Sequence, residues 1–285
     1  MRQGRHVGRV RQLSRYPVKS MLGEDLERAD VGESGIAGDR AFAVLDCLTG
    51  KVASAKNPRL WRDMLTLRGS VGPAEPGRPA MVQVIAADGT VEVVTVSDSR
   101  DPVLSKLLGR DARLIDRAAP GAGIDRMDPA RVTTEDDLLR AETSISVLGA
   151  GSPPGTFFDF APLHLVTTAT LARLEAEAGR PVDGRRFRPN IVVAVPGADA
   201  GFVENTWPGH RLRIGAGVIA EVITATPRCV VPALRHGTAE PDVSLLRVLS
   251  RSNRLASVGS LPCAGVYARP LVPGVIRPGD EVELA

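Results

Sequence analysis

Apolar residues along this chain fall mainly into short β-branched runs separated by Gly, Pro and Asp. Alternation with a period of two marks a strand with one buried face. It predicts strands over Val7–Leu13, Ala41–Asp46, Met81–Ala86, Val91–Val96, Ala112–Ile115 and Ile145–Leu148. Further strands are predicted over Asn190–Val195, Arg211–Ile214, Val218–Ala225 and Gly265–Leu271. Asp88-Gly89 reads as a hairpin turn, and Pro278-Gly279-Asp280 as a tight turn before a last alternating strand. Helices are few. Asp101-Pro102 supplies an N-cap and a first-turn proline, with Gly109 as the stop, so Pro102–Leu108 is a short helix. Thr168 to Ala178 carries Leu171 and Leu174 three apart and is followed by Gly179, the pattern of an amphipathic helix with a glycine C-cap. Leu245–Leu249 offers one more helical turn. Many strands with few helices predict a mainly β fold, a barrel or sandwich with helical decoration, not an alternating βαβ chain.

Gly69–Pro79 reads as a surface loop. Ala118–Asp137 reads as a helix-poor crossover, which sets an expected domain boundary near residue 118. At 285 residues, 43% hydrophobic and 24% charged, the chain has enough apolar side chain for a sizeable core. No run approaches the ~18 apolar residues of a membrane span. The basic N-terminus lacks the apolar core of a signal peptide, so a cytoplasmic location is the default expectation. A net charge of +3 and only ten aromatic residues, with no tract joining Lys/Arg clusters to rings, give a nucleic-acid surface little support. Cys47, Cys229 and Cys263 are far apart and odd in number. That spacing speaks against a disulfide framework and against structural zinc.

Four segments carry candidate chemistry. Cys229 follows the run Val218–Ala225, and the adjacent Arg228 favours the thiolate needed for metal ligation or nucleophilic attack. A small buried core residue is the alternative. In Arg185-Arg-Phe-Arg-Pro-Asn190, an extended backbone enforced by Pro189 would point Arg186 and Arg188 to one side. Guanidinium forks bind phosphate bidentately and Asn190 could add an amide, although a solvated basic loop fits the spacing equally well. Tyr16-Pro-Val-Lys-Ser20 offers the Lys19 ammonium and the Ser20 hydroxyl, and Gly38-Asp-Arg40 places Arg40 at the mouth of a strand. Three loop-to-strand corners thus each present a cation beside a polar neighbour. His164, within Leu163-His-Leu-Val166, reads as a satisfied core residue. HExxH, GxSxG and GxGxxG are all absent, which disfavours a zinc hydrolase and removes the commonest serine-hydrolase and dinucleotide signatures.

In this order, these segments together with Pro162-Leu-His-Leu-Val-Thr167, Leu212-Arg-Ile-Gly215, Pro227-Arg-Cys229 and Gly274–Val282 resemble the MOSC family, named for the C-terminal domain of molybdenum-cofactor sulfurase. The similarity is to its two-part members. It implies an N-terminal β-barrel domain over residues 1–118 and a MOSC domain with a few helices over 119–285. The resemblance also implies the molybdenum cofactor, molybdopterin, with Cys229 as ligand to the metal and as the catalytic position. By the same resemblance Lys19, Ser20, Arg40, Thr167, Arg188, Asn190 and Arg228 hold the pterin and its phosphate. The implied activity is reduction of small N-hydroxylated compounds such as amidoximes, hydroxylamines and N-hydroxylated bases. No flavin, haem or cluster motif is present, so electrons are expected from a separate reductase of flavin or ferredoxin type. Other readings from the same family are a molybdopterin or persulfide carrier and a non-catalytic cofactor-binding protein.

Overall fold

The computed structural model describes residues 4–72, 80–149, 153, 155–197 and 201–285. Its centre is a closed seven-stranded β-barrel. Around the barrel run Leu163–Thr167, Ile191–Ala194, Arg5–Arg15, Glu281–Leu284, Arg211–Ile214, Val218–Pro227 and Leu261–Val272. The last of these pairs back onto the first, Leu163 opposite Ala268 and Leu165 opposite Val266. One pair, Leu163–Thr167 with Ile191–Ala194, is parallel, and the helix Thr168–Ala178 lies in the connection between them. Alternation explains the filling: Leu163 and Leu165, Ile191 and Val193, Leu212 and Ile214, and Val282 and Leu284 all reach one buried core. Closure also demands Gly265. It has φ +81°, and a Cβ there would stand 2.3 Å from the Leu165 carbonyl oxygen.

Arg5–Arg15 lies between Ile191–Ala194 and Glu281–Leu284, so the start of the chain is a stave of the barrel built mostly from later residues. A second core gathers Val18, Phe42, Val44, Val82, Val84 and Leu114. A third joins Ala55 and Leu65 to Val230, Val231 and Leu246, fastening the two halves together.

The capped helices form as predicted. The Asp101 carboxylate accepts from Leu104 N at 2.8 Å and Gly109 is left-handed. Thr167 caps Thr168–Ala178, with Gly179 left-handed at its end. Two segments differ from expectation. Within the expected crossover, Gly123–Met127 forms a strand paired with Thr143–Val147. Its sequence, Gly-Ile-Asp-Arg-Met, has no β-branched run to reveal it, and pairing with a distant partner supplies the order. The single turn expected at Leu245–Leu249 is a helix over Ser244–Ser252, with Leu245, Leu246 and Leu249 buried. Residues 73–79 of the expected Gly69–Pro79 loop lie outside the described residues. Among the described residues, no helix is long and apolar enough to cross a membrane.

Candidate cofactor site

Three corners and one strand end converge on a cavity of about 530 Å³. At the first corner the chain turns away from the barrel after Arg15. Lys19 is buried there, its Nζ donating to the Phe157 carbonyl at 3.0 Å and to Asp159 at 2.6 Å. Lys56 reaches the same carboxylate at 2.8 Å. Ser20 is left-handed, φ 64°, and its Oγ accepts from Ala55 N at 3.1 Å.

At the second corner Arg40, also left-handed at φ 46°, is paired with Asp39 and lies 4.5 Å over the Tyr16 ring. Its guanidinium donates to Asn190 Oδ1 at 3.2 Å and to the Arg188 carbonyl at 3.3 Å. Asn190 ties the corners together. Its Nδ2 donates to Asp39 at 2.9 Å and to the Ser14 carbonyl at 3.2 Å, and its Oδ1 accepts from His164 N as well.

The third corner corrects an expectation. Arg186 and Arg188 do not share a side. Gly184–Phe187 is a 3-10 turn, started by Asp183 accepting from Arg185 N at 2.9 Å. Successive side chains in such a turn step by a third of a revolution, so positions two apart diverge. Arg186 is buried and donates to the carbonyls of Pro232, Leu234 and Glu240, a structural clamp. Arg188 is left-handed at φ 55°, avoiding by another route the right-handed helical region that Pro189 disfavours. Its guanidinium lies 4.4 Å over Tyr16 and donates to the Met21 carbonyl.

The strand Val218–Pro227 delivers Arg228 and Cys229 to the same cavity. Arg228 Nη2 donates to the Phe187 carbonyl at 2.9 Å, Nη1 lies 3.4 Å from His164 Nε2, and Nε is buried with no hydrogen-bond partner. Cys229 is part-exposed, whereas Cys263 is buried and its thiol is pushed up to about 11 by burial. Cys47 is exposed and does not line this cavity.

Of the residues expected at a cofactor, Lys19, Ser20, Arg40, Arg188, Asn190, Arg228 and Cys229 line this one cavity. Thr167 does not. Its hydroxyl donates to the buried Glu204 at 2.7 Å and caps the following helix, so its groups serve the barrel. The residues missed from sequence include Lys56, Asp159 and Tyr267, which only tertiary folding brings here. His164 is both things at once, a buried core residue and part of the cavity wall.

The wall is electropositive: Lys19, Lys56 and five arginines stand against Asp128 and Asp159. Burial pushes Lys19 down to about 8, in spite of Asp159, and Arg188 down to about 10, with Arg40 adding repulsion. Burial also opposes the Asp159 charge, but Lys19 and Lys56 outweigh it and hold the carboxyl well below its usual range. His164, pushed down to about 3 by burial and by Arg228, is neutral. Tyr267, pushed up to about 12 by burial, keeps its proton. Buried cations without carboxylate partners are costly, and a dianion among them lowers that cost. A cationic wall, a partnerless guanidinium nitrogen and a thiol therefore fit a group with a phosphate at one end and a soft metal at the other. Among the described residues no cluster of three or more His, Cys, Asp or Glu side chains could hold a bare ion.

The description "MOSC domain" matches residues 153–283, and "MOSC N-terminal beta barrel domain" matches 7–105. The chain belongs to the MOSC family. This MOSC protein is similar to the mitochondrial amidoxime-reducing component 1 of Mus musculus, 25% identical over 99% of this chain and 84% of the relative. It is 29% identical to the mitochondrial amidoxime reducing component 2 of Rattus norvegicus, again over 99% and 84%. Among solved structures, the YUAD protein from Bacillus subtilis aligns over 97% of this chain and 94% of its own, at 12% identity and a TM-score of 0.41. Binding of a molybdenum cofactor is what the family implies for this chain.

Proposed function

We propose that this MOSC protein is a molybdenum-cofactor-dependent reductase of N-hydroxylated compounds, with Cys229 as the protein thiolate on the metal. One observation carries the reading. Four described non-glycine residues are left-handed, and three of them, Ser20, Arg40 and Arg188, border the cavity that holds Cys229. Each such residue costs on the order of 1–3 kcal/mol, and strain of that kind gathers where a ligand must be gripped.

Lys19, Arg40 and Arg188 would hold the phosphate, with the Ser20 hydroxyl beside them, and Arg228 would lie next to the pterin-bearing end. When bound, the cofactor supplies the two-electron chemistry that removes oxygen from the substrate nitrogen. Overall, two electrons and two protons turn N–OH into N–H and release water. The chain's own contribution is to fix geometry and potential. Neutral His164 and Tyr267 keep the wall's positive charge with lysine and arginine alone. Asp159 stays ionised and locks Lys19 and Lys56 in place. Electrons would arrive from a separate flavin- or ferredoxin-type reductase.

Protein made in a cofactor-competent host should contain about one molybdenum per chain and reduce benzamidoxime with a chemical reductant (roughly one metal for one thiolate site). Cys229→Ser should abolish activity and leave the melting temperature unchanged; Cys263→Ser should leave molybdenum content unaltered. Full activity of folded Cys229→Ser protein would remove the thiolate from the reading. A labile sulfane sulfur on Cys229 without turnover would replace reduction with a carrier role.

A further inference from the structure

The chain has ten aromatic residues, and five of them, Phe157, Phe158, Phe160, Phe187 and Tyr267, line the Cys229 cavity. Phe157, Phe158 and Phe187 are buried and build the wall. Phe160 is different: it is 40% exposed, and among the described residues it is the one aromatic ring in the set of large apolar side chains left open to solvent. Its ring centroid lies 5.4 Å from that of Tyr267, which lies 5.6 Å from His164 in turn. His164 is beside Arg228, the neighbour of Cys229. A line of rings therefore runs from the mouth of the cavity to the thiol's neighbour.

The backbone under Phe160 is held firmly although it is neither helix nor strand. Phe157 N donates to the Arg40 carbonyl at 3.0 Å, and Lys19 Nζ donates to the Phe157 carbonyl. Both Lys19 and Lys56 clamp the Asp159 carboxylate, the residue immediately before Phe160. An aromatic ring on a fixed backbone presents a preorganised face, and stacking on it costs little conformational entropy. The apolar ring left in water also favours a ligand that covers it.

Resting on the reductase reading above, we infer that Phe160 is the specificity-determining residue of the site, a stacking platform that selects N-hydroxylated substrates carrying a flat aromatic ring over alkyl ones. An uncharged aromatic amidoxime suits both the platform and the electropositive wall, because it brings no positive charge into the cavity.

The test compares benzamidoxime with acetamidoxime on the molybdenum-loaded protein, using wild type, Phe160→Ala and Phe160→Tyr. Phe160→Ala should raise KM for benzamidoxime about tenfold with kcat nearly unchanged, the kind of loss that truncating a stacking ring to alanine produces. Its kcat/KM for acetamidoxime should move less than about twofold, and Phe160→Tyr should restore the benzamidoxime value. Calorimetric titration of benzamidoxime into the same proteins without reductant should show the same tenfold loss in affinity. Equal effects on both substrates, or none, would overturn the platform. So would loss of molybdenum from folded Phe160→Ala protein, because the ring would then serve the cofactor. Wild-type protein that binds benzamidoxime through Phe160 but reduces neither compound would leave the platform standing and remove the reductase reading.

Discussion

Arg188→Met separates holding an anion from holding the fold. The guanidinium lies over Tyr16, donates to the Met21 carbonyl and has no carboxylate in ion-pairing range among the described residues. Burial and Arg40 push its pKa from 12.5 down to about 10. At 1.36 kcal/mol for each tenfold change, the charged form carries a penalty of up to about 3 kcal/mol, part of it screened through the open side of the cavity. Methionine removes that penalty together with one hydrogen bond to a charged group, ~1.5–3 kcal/mol, and one cation–π contact, ~1–2 kcal/mol. Backbone strain is common to both residues and cancels.

These terms nearly offset one another. The cofactor-free variant should therefore lie within about 2 kcal/mol of wild type, a shift of several degrees in melting temperature by scanning calorimetry. Anion binding has no such compensation. Loss of a charge-assisted contact worth ~1.5–3 kcal/mol should weaken pyrophosphate binding by roughly 10- to 150-fold in calorimetric titration. Molybdenum content should fall with it, and Arg188→Lys should recover part of both. The reasoning fails if Arg188→Met unfolds the cofactor-free protein, or if pyrophosphate affinity and metal content stay at wild-type levels.

Lys19, pushed down to about 8, should make anion binding by cofactor-free protein weaken as pH rises through 8, and titrations of pyrophosphate at pH 7 and 9 should lose that step in Lys19→Met. The stability sign is opposite: between about 8 and 10.5 the unfolded chain holds more protons than the folded one, so burial's penalty is present below 8 and stability rises with pH through this window. Asn190→Ala removes one donor from Asp39, which keeps Arg40 and Tyr16 N, together with a donor to the Ser14 carbonyl and the acceptor of His164 N; a loss of about 2–4 kcal/mol in urea unfolding is expected, and a change under 1 kcal/mol would show that the corners do not need it. Thr167→Val removes a helix cap and a donor to Glu204, so about 2–3 kcal/mol of stability should go while molybdenum content per folded chain holds. Loss of metal from folded Thr167→Val protein would return Thr167 to the cofactor.

What could be read from sequence was local. Asp101 and Gly109, or Thr167 and Gly179, bracket their helices because capping is settled within one turn of chain. Alternating runs such as Arg211–Ile214 and Val218–Pro227 pair as antiparallel neighbours through a short turn. Barrel closure was not legible, since nothing in Leu163–Thr167 says that it pairs in parallel with Ile191–Ala194 and antiparallel with Leu261–Val272. The cationic corners are visible one by one in the sequence, but the facing of Arg186 and Arg188 is not, because Asp183 starts a turn that proline rules alone do not anticipate. Lys56 and Asp159 carry no local signature, and their ion pair exists only because the sequence positions around 19, 56 and 159 meet in space.

The strain at Ser20, Arg40 and Arg188 raises the question of what holds it. Each lies near a strand fixed by pairing: Ser20 after the barrel stave Arg5–Arg15, Arg188 before the stave Ile191–Ala194, and Arg40 before Ala43–Asp46, which pairs with Ala112–Ile115 outside the barrel. The first two flank neighbouring staves, with Leu13 paired to Ile191. Asn190 then bonds to Ser14 in one stave, to His164 in another and to Asp39 beside Arg40. Relaxing any one corner would break a buried hydrogen bond elsewhere, so the protein's own contacts over-determine the left-handed conformations. A phosphate entering such a site meets cations already in position and loses little to reorganisation. On the proposed reading, affinity comes from pre-set backbone rather than from a closing lid, and Asn190, although its polar groups are spent inside the protein, positions the Arg40 guanidinium that would meet the anion.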